Sequence, residues 1–81
     1  MGYTTSVVAR LFTVCRTAAR AERVSRKLQA LAIRRWSWRL MALADACQEQ
    51  AMLLTAPDRN TITYQVHLDL RNAALSRFEL R

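Results

Sequence analysis

The sequence predicts a mainly α fold with a small C-terminal β element: a helical hairpin, about 5–34 and 37–55, followed by a strand or β-hairpin over 61–81. Three observations carry this. Before Pro57, apolar residues recur at intervals of three and four, the period of a helix face. The 81 residues contain one Gly, Gly2, and one Pro, Pro57, so little interrupts regular structure up to that point. After the Thr55–Asn60 turn cluster the period changes to two, the signature of a strand.

The first helix is expected from Thr5 to Arg34, with Thr4, Thr5 and Ser6 as candidate caps. Unbroken, it would be about 45 Å long. Val7, Leu11, Val14, Ala18, Ala21, Ser25, Leu28 and Ala32 alternate steps of four and three, which places them on one narrow face rich in small residues and suited to close helix contact. Arg16, Arg20, Arg23, Lys27 and Arg34 repeat the spacing on the opposite side. Only Glu22 stands near enough to relieve that stripe, through Arg26 one turn on.

A second seam of Trp36, Leu40, Leu43, Cys47, Ala51 and Leu54 is out of phase with the first, which predicts a bend or tight turn near Ser37, itself a candidate cap. A hairpin of the two helices would bring Asp45 and Glu49 towards the basic first helix. Trp36 and Trp38 are about 200° apart on a helix, so one small core cannot bury both.

In the last segment, Ile62, Tyr64, Val66, Leu68 and Leu70 alternate with polar residues. A strand needs a partner for its backbone groups. With Arg71–Ala73 as a loop, Leu70 meets Ala74, Leu68 meets Ser76, Val66 meets Phe78 and Tyr64 meets Leu80, leaving His67 on the polar face. The alternative makes Asp69 the cap of a terminal helix that buries Leu70, Ala73, Ala74 and Phe78.

Length bounds the chain to one small domain, 1–81, that would gain from a partner or a second copy. The net charge of +7 is uneven. Residues 1–39 hold nine of the thirteen basic residues and one acid; residues 40–81 hold four and five. Twelve of the thirteen are Arg, whose planar fork suits carboxylates, phosphates and aromatic faces. Cys15 and Cys47 are far apart and each lies in an apolar helical pattern, which predicts buried, reduced thiols and a cytoplasmic protein. The first twenty-one residues, Arg-rich and acid-free, loosely resemble a mitochondrial presequence, a lesser reading.

Catalysis needs a nucleophile, a base and an orienting group, or a metal. One histidine, no ligand cluster at zinc spacing and no Gly-rich loop predict no enzyme, no cofactor and no metal site. What remains is contact. The expected partner-binding residues are Arg16, Arg20, Arg23, Lys27, Arg34, Arg35, Trp36, Trp38 and Arg39, because Trp and Arg dominate binding hot spots. The leading expectation is a protein–protein interaction factor: an inhibitor, adaptor or regulator of bacterial or phage type. It would act on a protein with an acidic surface, as a homodimer or in a hetero-complex. Non-specific nucleic-acid binding along the stripe is the second expectation, and a structural subunit of a larger assembly the third. A membrane-surface helix is disfavoured, because Arg10 and Arg35 intrude on the apolar side.

Overall fold

A computed structural model describes residues 2–79, with side chains from residue 8 onward. The described chain forms four helices: α1 Gly2–Val14, α2 Ala18–Arg35, α3 Trp38–Thr55 and α4 Ile62–Glu79. No strand occurs among the described residues, so the expected C-terminal β element is replaced by α4. The expected caps Thr4–Ser6 lie inside α1. The expected seam residue Val7 has its side chain outside the described residues, as do Leu80 and Arg81.

The single long first helix is also corrected, because the chain breaks at Cys15–Thr17. No Gly or Pro forces this. Thr17 adopts an extended conformation and its hydroxyl accepts from the Arg20 N–H at 3.2 Å, capping α2. The break turns α1 back onto the bundle, where Leu11 packs near Cys15, Ala21 and Ala51, and Val8 packs near Leu43 and Phe78. A continuous rod would leave these apolar groups in water.

α2 and α3 form a helical hairpin, as the phase shift implies. α2 ends with Trp36 in the left-handed region (φ 52°, ψ 42°). Its N–H bonds back to Ile33 O at 3.3 Å and that of Ser37 to Ala32 O at 2.9 Å, the paired bonds of a Schellman ending. Ser37 then caps α3 by accepting from the Leu40 N–H at 3.2 Å. Facing surfaces are small: Ala21, Ser25 and Ala32 on α2, and Ala44, Cys47 and Ala51 on α3 are all buried, while buried Ala42 and Ala46 lie on the far side of α3. Buried Ser25 donates to Ala44 O at 2.8 Å, a bond that requires the helices to approach closely.

α4 packs on the other side of α3, which is therefore the central helix. The Asp58–Thr61 turn starts it. The Asn60 N–H is held by Asp58 Oδ1 at 2.9 Å, and Thr61 caps by accepting from the Tyr64 N–H at 3.1 Å. The alternative that began a helix at Asp69 was right in type and late by two turns. Ala74 and Phe78 are buried, as that reading expected, while Leu70 and Ala73 face outward. His67 moves from an exposed strand face to a half-buried position, with Nδ1 2.6 Å from Glu49 Oε1. The described chain measures 36 × 26 × 19 Å.

Candidate partner-binding site

The α2–α3 connection is the tip of the hairpin, and it carries the Arg34–Arg39 segment. Trp36 is 94% exposed and Trp38 60%, so neither belongs to the core. Trp36 was expected on the second seam; the left-handed turn swings it out instead. Ile33, 68% exposed, stands on the same edge. Together with Ala32, Ser37 and Met41, these side chains line an open apolar groove of about 450 Å³. Arg34 and Arg35, both exposed, close the last turn of α2 beside it. Ile33 and Met41 were not predicted as site residues. For Ile33 a signal existed: it belongs to neither helical seam although it is large and β-branched.

The basic stripe is present and exposed. Arg20, Arg23, Lys27 and Arg34 lie on the outer face of α2, joined by Arg26, and Arg16 lies in the turn before it. The acids expected to answer it are elsewhere. Asp45 pairs with Arg77 (3.5 Å) and Glu49 contacts His67, both across the α3–α4 contact. None of the α2 cations pairs with a carboxylate among the described residues, and the possible Glu22–Arg26 pair is not made. α2 thus carries six cations against one acid, a net +5. Such a face attracts an anionic surface and repels its own kind.

Arg39 departs from this group. Its Nε donates to Phe78 O at 2.7 Å, and its guanidinium lies 4.6 Å from the Phe78 ring centroid. It satisfies a carbonyl at the end of α4 and clamps that end to the start of α3, while the residue itself stays exposed. Arg71 does the same elsewhere: it donates to Gln50 Oε1 at 2.9 Å and lies over the Phe12 ring, linking α1, α3 and α4. In the sequence it was assigned to a loop.

Cys15 and Cys47 are both free and buried. Burial pushes the Cys47 thiol up to about 12, and the adjacent Cys15 thiol adds to the shift. Burial also raises Cys15, partly offset by a hydrogen bond with Cys47 and by Arg20. Thiols held in the neutral form are poor nucleophiles. Among the described residues, no three His, Cys, Asp or Glu side chains converge as a metal site would require. No helix there is long and apolar enough to cross a membrane.

Compared with known proteins, the chain matches no family model, no curated protein and no solved structure.

Proposed function

We propose that this chain is a small, non-enzymatic interaction factor that captures a protein with an acidic surface through the tip between α2 and α3. Trp36 carries the reading. A bulky residue in the left-handed region is strained by roughly 1–2 kcal/mol, and Gly would fill that position without strain. Its ring is in water and contributes almost no burial to the fold. A large aromatic held out on a strained turn, beside Ile33 and Trp38, is the form of a binding anchor. Burying one large apolar side chain in a partner stabilises a complex by about 1.5–3 kcal/mol.

The flanking charge supplies the second half of the reading. Arg34 and Arg35 offer forked donors to carboxylates at the groove edge. The remaining α2 cations extend the attraction along the helix and speed encounter with an acidic partner.

The test is affinity capture from the native host with mass spectrometry, comparing the wild type with a combined Arg34→Glu, Arg35→Glu, Trp36→Ala, Trp38→Ala variant. Circular dichroism checks that the variant is folded. The expected result is an acidic protein held by the wild type and lost by the variant. Retention by a folded variant removes the site assignment.

The unanswered charge on α2 favours nucleic acid as the second reading. Generic single- and double-stranded oligonucleotides would then bind tightly at low salt and be released steeply as salt rises. No binding at low salt eliminates it.

A further inference from the structure

We infer that the outer face of α4 is a homodimer contact in which two copies of this chain pack their Ile62–Val66–Leu70 ridges against each other. This does not rest on the tip as a capture site: the tip meets the C-terminal end of α4 through Arg39 and Phe78, whereas the ridge lies in the first half of that helix.

The observation is that α4 is apolar on both sides. Its inner side, with Tyr64, Leu68, Leu75 and Phe78, meets the bundle. Its outer side carries Ile62, 84% exposed, with Val66 at 47% and Leu70 at 48%, spaced by four residues and continued by exposed Ala73. At 100° per residue these four fall within an 80° sector. A solvent-facing helix surface is ordinarily polar, as α4 is along exposed Gln65, Asp69, Asn72 and Ser76; the ridge beside them is not.

Two arguments identify the occupant as a second copy. The ridge reads the same in both directions. With Val66 on a two-fold axis, Ile62 of each copy faces Leu70 of the other, so an isologous contact matches apolar to apolar along the whole ridge. Rows of residues spaced by four are also the ridges that interlock in the commonest helix packing. Charge makes the same choice. Each copy carries +7, so self-association through most of the surface is opposed. Of the helices packed around α3, α1 carries +1 and α2 carries +5, while α4 is neutral, with Arg71 and Arg77 balanced by Asp69 and Glu79. Because α3 lies between α2 and α4, an α4–α4 contact also directs the two +5 faces away from each other.

The ridge spans about 12 Å, so the contact is small and the dimer is concentration-dependent. Its consequence is bivalence: two Arg/Trp tips would be carried on one particle.

Sedimentation velocity of the full chain across the micromolar range should show a doubling of mass with concentration. Val66→Glu should remain helical and monomeric throughout. Ile62→Glu, at the most exposed ridge position, provides the same readout should Val66→Glu fail to fold. Register is tested with glutathione disulfide as oxidant. Val66→Cys should cross-link to itself, and Ile62→Cys should cross-link to Leu70→Cys in preference to a copy of itself. The buried native thiols do not compete. A wild type that stays monomeric across the range, a dimer that survives both Glu variants, or a Val66→Cys chain that does not cross-link overturns the inference. The first of these outcomes leaves the ridge to a different partner, and the second moves the dimer contact elsewhere.

Discussion

Trp36 separates stability from function within one residue. If its role is contact, replacing it by Gly removes left-handed strain while taking nothing from the core. Trp36→Gly is expected to raise stability by about 1 kcal/mol, less the chain entropy Gly adds to the unfolded state. A higher urea midpoint with loss of partner capture is the expected pair of results. A fall in the midpoint would mean that the indole supports the fold. Cys47 makes a second prediction at this scale. Its thiol titrates near an ordinary 9.0 when unfolded but at about 12 when folded. Between those values the unfolded chain has lost a proton that the native chain retains, so native stability falls as pH rises through that window. Below pH 9 the contribution is fully present. Cys47→Ala should be less stable near neutrality yet lose less stability than the wild type between pH 9 and 12, measured by urea melts along the series. The same burial predicts slow alkylation of both thiols under native conditions and rapid alkylation in denaturant.

Among the elements, the α2–α3 crossing depends on smallness. Ser25 and Ala44 are both fully buried, and the Ser25 hydroxyl reaches a backbone carbonyl of the facing helix. Ser25→Ala removes one hydrogen bond and should destabilise by about 1 kcal/mol. Ser25→Leu must push the helices apart and should cost more, about 1–3 kcal/mol beyond that. Thermal or urea melts of the two variants check the order. This contact was legible in the sequence, because Ala21, Ser25 and Ala32 keep helical spacing and Ser25 is the single polar member of its row. The Ser37 cap was legible for a similar reason: it is a short polar residue placed where two seams change phase. α4 was not legible. Its alternation of Ile62, Tyr64, Val66, Leu68 and Leu70 suits a strand face, and periodicity cannot exclude a helix that is apolar on two sides. What decides the matter is tertiary. α3 offers Glu49 to His67 and Gln50 to Arg71, which lie one turn apart on α4, and Asp45 to Arg77 farther along, and a helix is needed to reach all three. The α1–α2 break was hidden for lack of a breaker residue, since only Thr17 marks it. In the candidate site, exposure of the tip cations followed from the pattern, whereas the diversion of Arg39 to Phe78 depends on where α4 ends and had no signal in the sequence.

At the scale of the molecule, the central position of α3 sorts the surface into two faces of different physics. α2 is cationic, and its charges meet no carboxylate among the described residues. α4 is neutral overall and presents an apolar ridge. The two faces should therefore respond oppositely to salt. Attraction between guanidinium groups and an acidic partner is screened over a Debye length of about 10 Å at 0.1 M, shortening to about 3 Å at 1 M. Apolar contact between two α4 ridges is not screened, and repulsion between two copies of charge +7 is relieved by the same ions. Raising sodium chloride from about 0.05 to 0.5 M should weaken partner capture, chiefly through a slower association rate, and should strengthen the homodimer or leave it unchanged. Surface plasmon resonance with the captured partner measures the first effect, and sedimentation velocity of the chain alone measures the second. A dimer that dissociates with rising salt would mean that copies meet through charge rather than through Val66 and its neighbours. Capture indifferent to salt would make the Trp36 groove, without the cationic face around it, the whole of the binding surface.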